Sequence, residues 1–289
     1  MTESTGVREV PVRRVALEAA FESVPKHFAK DGDLVSSHLV AALSSVFPDG
    51  EDFFVRSVKH YRDQISDPVL KQQVSGFIGQ EVTHGREHRA FNAHLATLGY
   101  PTQIAERLTR RGLEFRTRHV PPIANLATTA ALEHVTATLA ELVMRDEETR
   151  EAFGHEAARD LFLWHALEES EHKAVAFDVY RAMGGSERLR IFTMKAVRWG
   201  FVLGMAVQVV LSILSDRATY RPGALRKSWR YARRQPLLSR TTWQQLKAYE
   251  RRGFHPSDVP NDDLVESWRE RLFGEGGAML YATRGAVAS

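Results

Sequence analysis

Apolar residues recur every three or four positions along most of the chain, which is the spacing of one face of an α-helix. Few segments alternate apolar and polar residues as half-buried strands do. Turn residues divide the pattern, and Pro48 is predicted to close a short helix over 34–47. Four long helices are predicted over about 50–65, 68–98, 122–147 and 155–183. Short loops within each pair and a long connection between the pairs are typical of an all-α four-helix bundle.

The chain divides into three regions by composition. Residues 1–32 are predicted to form a loosely ordered N-terminal arm, and residues 33–185 the helical bundle. Residues 186–289 are predicted to form a basic and apolar C-terminal helical extension. Lys and Arg number 21 against 27 Asp and Glu over residues 1–185, but 15 against 4 over residues 186–259. The acidic segment 1–185 and the basic segment 186–259 suggest different roles for these two parts of the chain.

The overall composition excludes several classes of protein. Of the 289 residues, 43% are hydrophobic and 26% charged, which is ordinary for a folded chain. There is no cysteine, so disulfides, thiolate zinc sites, iron–sulfur clusters and a cysteine nucleophile are ruled out. The first residues lack the apolar core of a signal peptide. We therefore expect a cytoplasmic protein, with membrane association as an open alternative.

An apolar run at 199–214 is followed by an Arg-rich stretch. Three interpretations are open for the run: a buried helix, which we favour, a helix lying in a membrane interface, and a membrane-spanning helix. Sixteen residues fall short of the ~20 that span a bilayer. Because the basic stretch lacks a nucleic-acid-binding pattern, we expect no nucleic-acid partner. Peripheral contact of 199–240 with anionic lipid is the alternative to a solvated face.

Glutamate and histidine occur at metal-ligand spacing on two of the predicted helices. Residues three, four and seven apart share one helix face, so each of two triplets forms a stripe. The first triplet is Glu81, His84 and His88, and the second is His165, Glu169 and His172. Two isolated glutamates, Glu51 and Glu133, lie on the other two helices.

The four carboxylates are predicted to lie at one level of the bundle. Position 66 is halfway between Glu51 and Glu81, and it falls in the predicted turn Ser66-Asp67. Position 151 is halfway between Glu133 and Glu169, and it falls in the predicted break between the later helices. Residues equidistant from a turn have the same height in an antiparallel pair, so the carboxylates should meet.

This donor set is typical of a carboxylate-bridged dinuclear metal site. Such bundles take one Glu from each of two helices and a Glu-xx-His pair from each of the other two. Four carboxylates balance the charge of two divalent ions. We expect two iron ions, with manganese, a mixed manganese–iron pair or zinc as alternatives. The predicted ligands are Glu51, Glu81, His84, Glu133, His165, Glu169 and His172.

Two positions leave the ligand set open. His88 is expected to support a ligand or to be an extra ligand, whereas His165 is favoured as a ligand because it lies one turn from Glu169. Glu168 is the main rival of Glu169, since it also shares a stripe with His165 and His172.

Residues 45–185 resemble the predicted metal-dependent hydrolase family of bacteria, a ferritin-like group. The resemblance rests on the segments FPDGEDFF, FIGQEVTHGREHRAFN, LEHVTATLAE and WHALEESEHKAVAFDVY. It implies a ferritin-like bundle. The triplet of His165, Glu169 and His172 is also similar to that of di-iron arylamine N-oxygenases, whose sites use three histidines. That similarity implies His165 as the third histidine ligand.

We favour an O2-dependent di-iron oxidase or oxygenase acting on an apolar or lipid-like substrate. The alternative is a metal-dependent hydrolase that cleaves an ester or amide with a metal-bridging hydroxide. A second alternative is a non-catalytic metal-binding bundle. The expected partners are an apolar small molecule or lipid as substrate, an electron donor for an oxidase, and a second copy of the chain in a candidate homodimer.

Overall fold

A computed structural model describes residues 9–232 and 239–284, and within these ranges the chain is helical with no strand. The helices in chain order are α1 (Glu18–Phe21), α2 (Leu34–Lys59), α3 (Pro68–Thr97), α4 (Thr102–His119), α5 (Pro122–Arg145), α6 (Glu147–Ala152), α7 (Glu156–His172), α8 (Val175–Ala182), α9 (Glu187–Ser215), α10 (Ala224–Ala232), α11 (Arg240–Ala248), α12 (Asp262–Phe273) and α13 (Leu280–Arg284). The predicted all-α fold is confirmed.

Helices α2, α3, α5 and α7 surround the interior of the protein. Helix α2 packs mainly on α3, and α5 on α7. Ser44 in the first half of α2 bonds to Asn92 near the end of α3. Arg62, just after α2, bonds to Ser75 near the start of α3, so these two helices are antiparallel. The long connection between the pairs contains α4, which packs along α2. Apolar side chains fill the interior above and below a polar layer.

Helix α2 runs through Pro48, so the predicted helix end at this residue is wrong. A proline inside a helix cannot donate to the carbonyl four residues before it, which here belongs to Ser44. The side-chain amide of Asn92 donates to that carbonyl at 3.1 Å. Because α3 supplies the missing donor, α2 continues across the proline and carries Glu51 on the same rigid element.

The described part of the N-terminal arm, residues 9–32, packs into the core, contrary to the expectation of a loose segment. Val15, Leu17 and Phe21 are buried against α3 and α7. The backbone of Val10 lies so close to α3 that a Cβ at Gly76 would be 2.2 Å from its carbonyl oxygen. The arm is therefore held by close contacts with α3. The division of the chain into three regions stays a prediction.

Helix α9 is exposed along its apolar half, so the favoured expectation of a buried helix over 199–214 is wrong. Among the described residues, Glu187–Ser215 is the one helix that is long and apolar enough to cross a membrane by these two criteria. Only 11% of its most apolar window is buried. One side of α9 packs on α2 and α5, whereas the other side meets no part of the described chain.

Candidate metal centre

The four central helices bring acidic and imidazole side chains together in one buried layer. All seven predicted ligands are at most 3% exposed, and they are Glu51 on α2, Glu81 and His84 on α3, Glu133 on α5, and His165, Glu169 and His172 on α7. Their donor atoms form overlapping groups of three in which all atoms lie within 4.8 Å of one another. The layer can therefore hold metal through donors from every central helix.

One half of the layer is centred on His172. Its Nε2 atom lies 3.1 Å from Glu81 Oε1, 3.3 Å from Glu133 Oε2 and 3.6 Å from Glu169 Oε2. Glu81, Glu133 and His172 form one of the groups with metal-ligand spacing. These donors come from α3, α5 and α7.

The other half contains His165, His84 and Glu51. His165 Nε2 lies 2.9 Å from Glu169 Oε1 and 3.7 Å from Glu51 Oε1. The rings of His84 and His165 stack with centroids 4.2 Å apart, and His84 Nδ1 lies 3.8 Å from Glu81 Oε1. Glu81 and Glu169 thus contact both halves, as carboxylates that bridge two ions would.

Eight donor atoms of the predicted ligands have no hydrogen-bond partner. These atoms are both carboxylate oxygens of Glu51, Glu81 and Glu133, together with His84 Nδ1 and His172 Nε2. The short distances around His172 Nε2 lack the alignment of hydrogen bonds. Buried polar groups are normally paired, because an unpaired one costs about 1–3 kcal/mol or more. The convergence of so many unpaired donors fits a pair of bound cations.

Burial and mutual repulsion make the metal-free layer hold protons. Burial and the neighbouring carboxylates raise the pKa of Glu51 well above its usual range. Burial, acting against the nearby His172, raises the pKa of Glu81 to about 8 and that of Glu133 to about 7. For Glu169, the charges of His172 and His165 outweigh burial and hold the pKa low. Divalent cations would replace these protons.

Each predicted histidine ligand directs one ring nitrogen into the layer and contacts a supporting side chain through the other. Glu168 Oε2 lies 3.0 Å from His84 Nε2, and Gln80 Oε1 lies 2.8 Å from His172 Nδ1. His88 Nε2 lies 2.7 Å from His165 Nδ1. Such contacts fix the tautomer and the ring orientation of a ligand. Glu169 faces the centre of the layer, whereas Glu168 faces the outer side of His84.

Sequence reasoning missed several residues of this supporting layer. Thr136 donates its hydroxyl to Glu169 Oε2, and its spacing of three from Glu133 on α5 could have indicated this. Arg13 binds both Glu168 and Glu171, and Gln80 donates to Glu171 as well. No pattern in the sequence connects the arm residue Arg13 with α7, which lies more than a hundred residues away.

An apolar cavity of about 80 Å³ reaches the metal layer between α2 and α5. Leu39, Val40 and Leu43 line one wall, and His165 and Glu169 lie at its inner end. Phe47 also lines the cavity, and its ring centroid lies 4.6 Å from that of His165. The cavity is therefore suited to an apolar group whose reacting atom lies next to these two side chains.

Comparison with protein families gives one match, which covers most of the chain. A family model described as a predicted metal-dependent hydrolase matches residues 11–259. The chain belongs to the predicted metal-dependent hydrolase family. Comparisons with curated proteins and with solved structures found no match. Metal dependence of this family agrees with the groups of carboxylate and imidazole donors.

Membership of the metal-dependent hydrolase family corrects the expected reaction. The favoured di-iron oxidase or oxygenase is wrong, because the matching family is described as one of predicted metal-dependent hydrolases, and the alternative hydrolase is supported instead. The error has a physical origin: carboxylate and imidazole donors suit iron, manganese and zinc alike. The donor set therefore predicts a metal-dependent enzyme without choosing its reaction.

Proposed function

We propose that this protein is a two-metal hydrolase that cleaves an ester or amide bond in a substrate with an apolar chain. The observation that carries the proposal is the set of unpaired buried donors at the inner end of an apolar cavity. Family membership supports the reaction class. The cavity supports an apolar substrate, because a layer that only stored metal would not need an apolar cavity leading to it.

The metal ligands in this proposal are the seven predicted side chains, in a ferritin-like arrangement of α2, α3, α5 and α7. Glu81, Glu133 and His172 would hold one ion. Glu51, His84, His165 and Glu169 would hold the other, with Glu81 and Glu169 shared. When bound, divalent ions lower the pKa of water to near neutrality and polarise a carbonyl oxygen. Hydrolysis does not need a redox-active metal, so zinc, manganese and ferrous iron all satisfy the donor set.

The protein itself contributes binding, orientation and exclusion of water. Leu39, Val40 and Leu43 would bind the apolar chain and align its carbonyl with the metal layer. Thr136 holds Glu169 by a hydrogen bond, which keeps this carboxylate at the inner end of the cavity. Burial of the donors removes competing water, so the charges act at full strength on the bound carbonyl.

The test is hydrolysis of p-nitrophenyl esters and anilides of increasing acyl length by metal-free protein reloaded with zinc, manganese or ferrous iron without oxygen. We expect metal-dependent hydrolysis whose kcat/KM rises with acyl length. Val40→Phe should fill the cavity, lowering kcat/KM for the longer esters about tenfold while leaving metal content unchanged.

The matched control is Val46→Phe, which enlarges another half-buried valine of α2 that does not line the cavity. We expect it to keep the chain-length preference of the parent. Fully metal-loaded protein that cleaves none of these esters or anilides would contradict the proposal and leave a metal-binding bundle. Equal effects of the two valine substitutions would contradict the assigned substrate cavity.

A further inference from the structure

The outward side of α9 is a broad apolar surface on the exterior of the molecule. From Trp199 to Ser215 the helix contains no charged residue. Leu203 and Leu211 are 66% and 61% exposed, and Val207, Val210 and Leu214 are exposed beside them. Seventeen helical residues extend about 25 Å. Contiguous apolar surfaces of this kind mark contacts with a membrane or a partner.

Basic residues lie at both ends of this surface. Arg188 and Lys195 are exposed on the turns before it, and Arg217, Arg221 and Arg226 are exposed after it. Between Arg188 and Ser228 the single acidic residue is Asp216, which is buried and bonded to His27 and His38. The exposed charges that the chain from Arg188 to Ser228 places at the two ends of the apolar surface are therefore all positive.

The packing of α9 fixes how this helix can meet a membrane. Gln208 donates to the Ala42 carbonyl at 3.2 Å and also to Ser45, and the hydroxyl of Ser212 lies 2.7 Å from His38 Nδ1. These polar contacts hold the inner side of α9 along α2. A helix that crossed the bilayer would lose them, whereas a helix lying flat on the surface keeps them.

The charges distinguish a lipid surface from a second copy of the chain. A symmetric dimer through α9 would bring the same patch of both copies together. Arg188 and Lys195 would then face cations of the other copy, since both ends of the surface are positive. An anionic lipid surface instead neutralises these cations while the leucines and valines enter the acyl boundary.

We propose that α9 docks the protein flat onto membranes that carry anionic headgroups, with Trp199, Leu203, Val207, Val210 and Leu211 inserted in the interface. The docking goes beyond the proposed hydrolysis and does not depend on it. The C-terminal half of α9 packs on α2, the helix that also carries one wall of the apolar cavity. Docking would thus bring the cavity near a lipid surface.

The test is flotation of the full chain with vesicles of phosphatidylcholine, alone or with added phosphatidylglycerol. We expect binding to the anionic vesicles that weakens as salt is added, and a blue shift of fluorescence that Trp199→Phe reduces. Leu203→Glu and Leu211→Glu should each lower the partition coefficient roughly tenfold, because each replaces an apolar contact by a charge of the same sign as the lipid.

The control is Val82→Glu, because Val82 is 56% exposed on α3 and far in sequence from α9. Thermal unfolding should be unchanged for all these variants, since the replaced side chains lie outside the core. Wild-type protein that stays unbound in the presence of phosphatidylglycerol would overturn the proposal. A dimer in sedimentation equilibrium that Leu203→Glu dissociates would also overturn it and assign the surface to a second copy.

Discussion

Replacing Arg13 by glutamine is expected to weaken metal binding, although Arg13 contacts no predicted ligand. Its guanidinium donates to Glu168 at 3.0 Å and to the two oxygens of Glu171 at 2.8 and 2.7 Å. Glu168 in turn lies 3.0 Å from His84 Nε2. For His84 Nδ1 to bind a metal, Nε2 must carry the proton and donate a hydrogen bond to Glu168, which accepts it most strongly when ionised.

The size of the effect follows from the burial of Glu168. Burial raises the pKa of Glu168 to about 8, even though the Arg13 charge lowers it. Without Arg13 the pKa rises further, so the ionised form that accepts most strongly from His84 is disfavoured, and the carboxyl also loses the guanidinium that orients it. Loss of such support typically costs about 10–100-fold in metal affinity. Breaking a buried ion pair costs roughly 3–5 kcal/mol, and we expect the lower end because Gln80 and Arg269 still bind Glu171.

The assay is zinc titration against a competing chelator, with urea unfolding of the metal-free protein alongside. Arg14→Gln is the matched control, because Arg14 is the exposed neighbour of Arg13. Arg13→Lys should be intermediate, since a lysine cannot bind two carboxylates in the same forked geometry. Equal zinc affinity of the Arg13→Gln and Arg14→Gln variants would refute the reasoning.

Three further predictions concern protons and the proline in α2. Metal affinity should fall about 10–100-fold from pH 8 to pH 6, because Glu81 and Glu133 then hold protons that the metal must displace; competition titrations across this range measure it. The same raised pKa values mean that the metal-free fold binds protons more tightly than the unfolded chain. Its unfolding free energy should therefore fall as the pH rises from about 5 to 8, whereas metal-loaded protein should not show this fall. Asn92→Leu should lower the unfolding free energy by about 1–3 kcal/mol in urea, because it leaves the Ser44 carbonyl without its donor.

The arrangement of the candidate ligands could be predicted because it depends on local rules. Helical spacing places Glu81 and His84 on one side of α3, and the turn before Pro68 sets their height relative to Glu51. Turns and helix periodicity are both recognised from residues that are close together in the sequence. The level at which the carboxylates meet therefore follows from short-range information.

Features that depend on distant residues could not be predicted. The continuity of α2 across Pro48 needs Asn92, which lies 44 residues further along the chain. The order of the arm depends on Gly76 and on the ion pairs of Arg13, neither of which shows as a pattern. Only the packed structure reveals these pairings.

The exposure of α9 and the reaction class were missed for a different reason. An apolar helix has the same composition whether protein or lipid covers it, so the sequence could not choose between them. Likewise, glutamate and histidine bind redox-active and redox-inactive metals with the same atoms. Choosing between oxidation and hydrolysis required the family match over residues 11–259.

The most direct test of the metal centre is the metal content of the purified protein and three alanine variants. We predict about two divalent ions per wild-type chain, as the paired donor sets require. Glu81→Ala and Glu169→Ala should lose most of this metal, whereas Glu141→Ala should retain it, because Glu141 pairs with Arg145 away from the layer. Unchanged metal content in the Glu81→Ala and Glu169→Ala variants would contradict the assignment of the buried layer as the metal centre.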